Sequence, residues 1–299
     1  MDALRPKDGG VYLDCTIGGA GHSTALLSLA PKARLYGIDR DADALAAAEK
    51  RLSTDHPGAD YHLLRGNFHD ARELVTEPLD GILVDLGVSS YQLDEAGRGF
   101  SYHGDAPLDM RMDQRQELTA EVIVNEWPEK EISRILKEYG EENWAAQIAR
   151  VLCDRRKKER IATADQLVEI IDASIPKKFR ARDDSHPARR TFQALRIAVN
   201  DELAPLEKAL RDMVRMLSPG GRLAVISFHS LEDRIVKNSF RSMENPCTCP
   251  KDFPVCVCGK KPLVRLTPRG GITASSEEIR DNPRSRSATL RVAERLEDA

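Results

Sequence analysis

Four short apolar segments, each followed by a helical pattern, occupy about the first 90 residues of the chain. They are residues 11–15, 34–39, 60–64 and 79–85. Strands that alternate with helices through short loops are typical of a parallel, doubly wound α/β sheet. The ligands of such a sheet bind beyond the carboxyl ends of its strands. We therefore expect a ligand site formed by the residues at those ends, which are Asp14, Asp39, Phe68 and Asp85.

Composition narrows the class of protein. The chain has 299 residues, of which 41% are hydrophobic and 31% charged, and its net charge is −3. These values fit a globular protein of one large or two ordinary domains and exclude a generic basic nucleic-acid coat. No apolar run approaches the ~18 residues of a transmembrane helix. The N-terminus lacks an apolar signal region, so we expect a cytoplasmic protein.

The α/β pattern stops after residue 85 and returns near residue 191. In between, apolar residues repeat at helical spacing, as in Glu129–Tyr139, and no strand pattern occurs. We therefore predict an all-helical insertion at residues 105–190 of an α/β domain made of residues 1–104 and 191–299.

The last third of the chain is expected to complete the sheet. Residues 222–228 and 287–293 have strand patterns. Pro205 is expected to break the long helical pattern of residues 191–217. Ser218–Gly221 is expected to form a tight turn before the strand.

A glycine-rich turn, Gly18-Gly-Ala-Gly21, joins the first strand to the first helix. Glycines let the backbone approach a ligand, and a helix N-terminus offers unpaired N–H groups. A dinucleotide fingerprint would require a third glycine where Thr24 stands. The acid before the turn, Asp14, favours a ligand that has an ammonium group as well as a ribose, such as S-adenosylmethionine. The alternative is an ordinary β–α turn whose acids face solvent.

Each strand end then has an expected partner on S-adenosylmethionine. The backbone of Gly19–Gly21 would hold the methionine part, with Asp14 near its ammonium group. Asp39 would accept hydrogen bonds from the ribose hydroxyls, and Phe68 would pack on the adenine.

Asp85 opens the segment Asp85-Leu-Gly-Val-Ser-Ser90, where the substrate should meet the methyl donor. Methylation of an amine requires the nitrogen lone pair to be aimed at the sulfonium methyl, and it requires no strong base. A carboxylate and a backbone carbonyl that accept the two N–H bonds would provide this positioning. Asp85 is therefore the candidate catalytic residue and Ser89 a candidate substrate contact. A role for Asp85 as a helix or loop cap is the alternative.

Nine segments, in order along nearly the whole chain, resemble the MraW (RsmH) family of bacterial small-subunit rRNA (cytosine-N4)-methyltransferases. They are Thr16–Ser23, Gly37–Asp41, Gly66–Phe68, Asp85–Asp94, Gly99–Ser101, Pro107–Asp113, Thr191–Leu203, Ser227–Arg234 and Asn282–Ser287. The resemblance implies a Rossmann-like, S-adenosylmethionine-dependent methyltransferase with an inserted all-helical domain. It also implies methylation of a cytidine in the decoding region of 16S rRNA, as free rRNA or in the 30S subunit.

The family's pattern also implies the cofactor contacts, which are Ala20, Gly21, His22, Asp39, Phe68, Asp85 and Gln92. His22 is expected to position the backbone or the cofactor, with a role as base as the alternative. The chain departs from the family before its first strand, where a His-x-Pro-Val-Leu segment is usual and only about ten residues stand here. A late start and a real truncation both explain this departure, which concerns one wall of the active site.

Several further residues are candidates for contact with the rRNA. His229 follows the strand at 222–228 and would contact the substrate or serve local packing. Asp109 and Arg111 would line the path of the RNA or stabilise their own loop.

Basic runs occur in or beside the insertion, and they are candidate contacts to rRNA phosphates. They are Arg155–Arg160, Lys177–Arg182 and Arg189–Arg190. Solvated surface is the alternative for such runs.

Four of the six cysteines cluster, at Cys247, Cys249, Cys256 and Cys258. In a reducing cytoplasm such a cluster favours a metal site over disulfides, and four thiolates suit a tetrahedral structural zinc ion. Free or redox-active thiols are the alternative, because Cys-x-Cys spacing is less diagnostic than Cys-x-x-Cys.

Two functions remain as alternatives to rRNA methylation. One is an S-adenosylmethionine-dependent amine methyltransferase that acts on another polymer. The other is a cofactor-binding ribosome assembly factor, against which the retained Asp85 and glycine turn argue. The sequence leaves monomer and homodimer open.

Overall fold

The structure is a computed structural model of the 299-residue chain, and it describes residues 1–177, 186–250 and 255–297. The strands are β1 (Val11–Asp14), β2 (Arg34–Asp39), β3 (Asp60–Arg65), β4 (Leu79–Asp85), β5 (Leu217–Ser227), β6 (Val264–Leu266), β7 (Ile272–Thr273) and β8 (Thr289–Arg295). The helices are α1 (Gly21–Leu29), α2 (Ala42–Asp55), α3 (Ala71–Leu74), α4 (Ser90–Asp94), α5 (Ala120–Glu126), α6 (Glu129–Glu138), α7 (Ala145–Arg156), α8 (Ala164–Ser174), α9 (Arg189–Asn200), α10 (Leu206–Met216), α11 (Ser230–Glu244) and α12 (Ser276–Asp281). Short 3₁₀ helices cover Phe68–Asp70, Ala96–Arg98 and Pro283–Ser287.

The chain divides into two compact units. The α/β unit contains Met1–Gly87 and Leu203–Ala299, and the helical unit contains Val88–Glu202. The sequence placed these boundaries at 104/105 and 190/191. The boundaries of the structure differ from these because Phe100, and Phe192 of α9, are both buried in the apolar core of the helical unit.

All eight strands of the α/β unit form one sheet, in the order β3-β2-β1-β4-β5-β8-β6, with β7 paired to β8. The first five strands are parallel, and β8 runs antiparallel to β5. The strand order reverses between β1 and β4. After β1, the chain adds β2 and β3 on one side of the sheet, and β4 and β5 then extend the sheet on the other side. This is the Rossmann-like arrangement, and it opens a crevice at the carboxyl ends of these two strands.

Successive side chains of each strand point to opposite faces of the sheet, and helices cover both faces. Tyr12 of β1 belongs to a buried cluster with Leu27 of α1 and Leu52 of α2. The next residue, Leu13, belongs to a second cluster with residues of α10 and α11, such as Leu210 and Phe240. Burial of both faces accounts for the apolar runs that predicted these strands.

Two details of the sheet differ from the sequence prediction. Ser218–Gly221, expected as a tight turn, lies inside the span of β5, where the pairing with β4 moves from Leu79↔Leu217 to Gly81↔Arg222. These residues therefore form an irregular bulge in the pairing between β4 and β5. Strands β6 and β7, of three and two residues, were not predicted, since such short segments show no alternation.

The helical unit has its own apolar core, to which α5, α6, α7, α8 and α9 contribute. The predicted capping box opens α8, where Thr163 accepts from the Gln166 amide and the Gln166 side chain accepts in return. Within the described ranges of this unit, the only β pairing is an isolated bridge between Pro107 and Thr163. No helix in the described part of the chain is both long and apolar enough to cross a membrane.

Candidate active site

The glycine-rich turn leaves β1 and enters α1 through two left-handed residues. Gly18 has φ +48°, and Ala20 has φ +58°, which is unfavourable for a residue with a side chain. Ala20 is fully buried, and its amide donates to Ile17 O at 2.7 Å. No described side chain caps α1. The sequence thus holds a strained backbone at a helix N-terminus, where the first amides have no partner within the helix.

No contact or backbone conformation in the described part of the protein requires a glycine at position 19. Gly19 is exposed, its φ lies outside the left-handed region, and an ideal Cβ there would meet no described atom within 4 Å. Neither backbone strain nor packing therefore requires the missing side chain. Close approach of a ligand to this part of the turn would explain it.

Two acids hold the turn in place, Asp14, which is buried, and Asp39, which is partly buried. Asp14 accepts from Ser23 Oγ at 2.8 Å and from the Thr16 amide at 3.2 Å, and Asp39 accepts from the Gly18 amide at 2.9 Å. Burial raises the pKa of Asp14 to about 6 and also raises the pKa of Asp39 above its ordinary value. Both acids therefore act first as positioning residues, and their expected contacts to the cofactor would be additional.

Asp85 ends β4 and lies beside the turn. Its backbone amide donates to Thr16 Oγ1 at 2.7 Å, and its Oδ2 lies 3.5 Å from His22 Nε2. The hydrogen bond that His22 donates to the Asp85 carboxylate raises the pKa of His22. The Oδ1 atom of Asp85 is buried, and no donor from the described part of the chain reaches it. A buried carboxylate oxygen without a donor is costly, so this atom is available to a ligand.

Phe68 follows β3 and begins a 3₁₀ helix. Its side chain is mostly buried and belongs to one of the two core clusters of the α/β unit. Its neighbour Asn67 has a buried Oδ1 atom that no described donor reaches. The sequence reasoning did not single out Asn67, although its position between Gly66 and Phe68 at a strand end was a signal.

His229 follows β5 and caps α11. Its Nδ1 atom accepts from the Glu232 amide at 3.4 Å, and its Nε2 atom lies 3.1 Å from Glu232 Oε1. The side chain of His229 is only 9% exposed. These contacts favour local packing over the substrate contact that the sequence also allowed.

Four other candidate residues lie in the helical unit. Ser89 and Gln92 form a capping box at the start of α4. Asp109 and Arg111 form a two-pronged ion pair, with both N–O distances 2.8 Å. Burial opposes ionisation of Asp109, but the hydrogen bonds from Arg111 outweigh it and lower the pKa of this carboxyl. The structure therefore supports the loop-stabilising role of this pair.

The basic run Arg155–Arg160 is partly paired within the helical unit. Arg160 contacts Glu121 at 2.6 Å, and Arg156 donates to Val124 O at 2.9 Å. Of the second run, residues 178–182 lie outside the described residues. Arg189 and Arg190 begin α9.

The four clustered cysteines lie together in the α/β unit, with their sulfur atoms within 4.8 Å of one another. Cys15 and Cys153 are buried elsewhere as free thiols. The strand-end acids and the cysteine cluster are therefore separate features of the same unit.

Comparison with known proteins shows similarity along the full length. The MraW methylase family matches residues 1–296. The chain is 54% identical to ribosomal RNA small subunit methyltransferase H of Symbiobacterium thermophilum, over 99% of this chain and 94% of that protein. It is 52% identical to the protein of the same name from Heliobacterium modesticaldum, over 99% and 96%. The alignment with the structure of an rRNA methylase from Streptococcus thermophilus covers 99% of this chain and 91% of that chain, with 11% identity and a TM-score of 0.41.

Proposed function

The chain belongs to the MraW methylase family, and we propose that it transfers a methyl group from S-adenosyl-L-methionine to the N4 amine of a cytidine in the decoding region of 16S rRNA. The names of its relatives, at 52–54% identity over nearly the whole chain, support small-subunit rRNA as the substrate. The choice of cytidine N4 rests on the family resemblance and on the geometry at Asp85.

The observation that carries this proposal is the unpaired Oδ1 atom of Asp85. The lone pair of an exocyclic amine is delocalised into the ring, which makes the nitrogen a weak nucleophile. A carboxylate oxygen that accepts one N–H bond can turn the amine so that its lone pair faces the donor methyl. Oδ1 can accept that bond, while Oδ2 lies 3.5 Å from His22 Nε2.

The reaction balances without a metal or a strong base. The methyl group would bond to N4 as its bond to the sulfonium sulfur breaks, the sulfur would keep that electron pair, and the proton that N4 loses would pass to solvent water. His22 and Thr16 act by holding Asp85, one through its carboxylate and the other through its backbone amide. Asp85 is the proposed catalytic residue, and the other two are positioning residues.

The α/β unit offers groups that match each part of the cofactor, which supplies the methyl group when bound. The open space at Gly19 and the uncapped start of α1 suit the methionine part. Asp39 still has lone pairs for ribose hydroxyls. The unpaired Asn67 Oδ1 suits the amino group of adenine, beside Phe68.

We assign recognition of the rRNA to the helical unit. Its basic residues, such as Arg155 in the last turn of α7 and Lys158 just beyond the helix, are exposed and suit phosphate contacts. The target base would have to leave its stack to reach a carboxylate at a strand end. Either free 16S rRNA or the 30S subunit meets these requirements.

Transfer of label to rRNA tests the proposal. The protein is incubated with methyl-labelled S-adenosylmethionine and with 30S subunits, or free 16S rRNA, from a strain that lacks the enzyme. Nuclease digestion and mass spectrometry then locate the label. We expect N4-methylcytidine at one position of the decoding region.

Other outcomes would replace the proposal. Label on a different base or on a ribosomal protein would assign another amine as the acceptor. Tight cofactor binding without any label would assign a role as an assembly factor.

A further inference from the structure

We propose that the four clustered cysteines bind one zinc ion with a structural role, outside the methyl-transfer site. They are Cys247, Cys249, Cys256 and Cys258. They lie in the cysteine loop, which is the segment of residues 245–262 between α11 and β6. This inference is independent of the proposed function.

The distances between the sulfur atoms carry the inference. Cys256 Sγ lies 3.5 Å from Cys247 Sγ, 3.9 Å from Cys249 Sγ and 3.5 Å from Cys258 Sγ, and Cys258 lies 3.8 Å from Cys247. A zinc–thiolate bond of about 2.3 Å gives a tetrahedron whose edges are about 3.8 Å. The two remaining sulfur pairs also lie within 4.8 Å, so the four sulfur atoms already lie near the corners of a zinc tetrahedron.

The same distances exclude a pair of disulfides in this arrangement. A disulfide requires its sulfur atoms about 2.05 Å apart, and the shortest separation here is 3.5 Å. Cys256 is close to three sulfur atoms at once, so the thiols form one cluster and not two pairs. Four thiolates so close together would repel one another unless a cation lay between them.

A backbone amide beside the cluster donates to sulfur. The Val257 amide donates to Cys249 Sγ at 3.4 Å. Donors to ligand atoms stabilise thiolates and fix their orientation in metal sites. This arrangement is expected around a metal-bound sulfur and has little use around a neutral thiol.

The described part of the cysteine loop has no apolar core that could order it. Among its described residues, 245–250 and 255–262, none is buried, and Val255 and Val257 are 69% and 72% exposed. The Leu263 amide donates to Met243 O at 2.9 Å and closes the base of the loop. Beyond this base, a metal cross-link replaces the missing hydrophobic contacts.

The position of the loop argues for structure and against catalysis. Val264 of β6 pairs with Arg295, at the end of β8 that lies beside the start of β5. The loop base is therefore at the amino edge of the parallel strands, whereas Asp85 is at the carboxyl edge. Four thiolate ligands also leave no open coordination position for a substrate.

Metal analysis tests the proposal. The full chain is purified without a histidine tag under reducing conditions, from medium that contains zinc, and its metal content is measured by plasma mass spectrometry. We expect about one zinc ion per chain, released by a mercurial thiol reagent. After zinc is stripped, added Co²⁺ should give the charge-transfer and d–d bands of a tetrahedral tetrathiolate site.

Variants locate the metal. Cys247→Ser together with Cys256→Ser should abolish zinc binding, whereas the control Cys153→Ala, in the core of the helical unit, should retain it. Wild-type protein with negligible zinc and no tetrahedral cobalt spectrum would overturn the proposal. So would full zinc content in the double variant. If the double variant fails to fold, the wild-type zinc content and the cobalt spectrum still decide.

Discussion

The side chain of Thr16 accepts a hydrogen bond from the backbone amide of Asp85, with an O–N distance of 2.7 Å. The two residues are 69 positions apart; Thr16 follows β1, and Asp85 is the last residue of the adjacent strand β4. The bond ties the glycine-rich turn to the carboxylate that we assign to catalysis. Disturbing one side of the site should therefore disturb the other.

Replacing Thr16 should test this link. Thr16→Val keeps the shape but leaves the Asp85 amide without an acceptor, so Asp85 should move away from its productive position. We expect turnover to fall by about 10- to 100-fold. Thr16→Ser keeps the hydroxyl and should restore most of the activity. Equal turnover in the Val and Ser variants would show that the bond has no role in positioning.

Gly19 should matter to the cofactor and not to the fold. In Gly19→Ala the new methyl group meets no protein atom, and the unfolded chain loses freedom, so stability should stay level or rise by about 0.5 kcal/mol. We expect the affinity for S-adenosylmethionine to fall at least about tenfold, because the methyl group fills the ligand's space. Calorimetric titration and thermal unfolding measure the two effects.

Gly270 provides the matched control. An ideal Cβ at Gly270 also meets no described atom, and its φ lies outside the left-handed region. Gly270→Ala should give the same small change in stability with unchanged cofactor affinity. An equal loss of affinity in both variants would contradict the role assigned to Gly19.

Asp85→Asn should separate catalysis from cofactor binding. The amide replaces one carboxylate oxygen with a donor, which opposes the N–H bonds of the substrate. We expect turnover on 30S subunits to fall by at least about 100-fold while cofactor binding remains measurable. The control Glu73→Gln makes the same charge change on the exposed surface of α3. Turnover within twofold of wild type would remove Asp85 from the mechanism.

The buried Asp14 should make folding stability depend on pH. Its pKa rises from an ordinary value of 3.8 to about 6 in the folded protein, so the folded state holds its proton longer than the unfolded state. The contribution of this group therefore falls as the pH rises from about 4 to about 6, by roughly 3 kcal/mol. Denaturant unfolding of wild type and Asp14→Asn across this range should show the difference between them changing by this amount. A difference that is constant with pH would contradict it.

The sequence predicts those parts of the structure that depend on local patterns. Apolar strands followed by helices are visible because both faces of the sheet are covered. The long helical pattern of residues 191–217 is interrupted between Asn200, where α9 ends, and Pro205, which precedes the first residue of α10. The strand-end acids follow from the topology alone. The bulge at Ser218–Gly221 was mistaken for a turn, because the same residue types serve both conformations.

Contacts between distant residues set the limit of sequence reasoning. The bond from the Asp85 amide to Thr16 and the unpaired oxygen of Asn67 depend on which strands become neighbours. No local pattern reports such contacts. The four cysteines show the opposite case, since their spacing raised the metal hypothesis and the sulfur distances sharpened it.

The discontinuous α/β unit has a consequence for the order of events during synthesis. Strand β4 pairs with β5, and the whole helical unit is translated between them. The emerging chain therefore carries β4 with an open edge until the helical unit has left the ribosome. The crevice beside Asp85 reaches its final form only when β5 arrives. A nascent or truncated chain that ends before residue 217 should thus lack a finished active site.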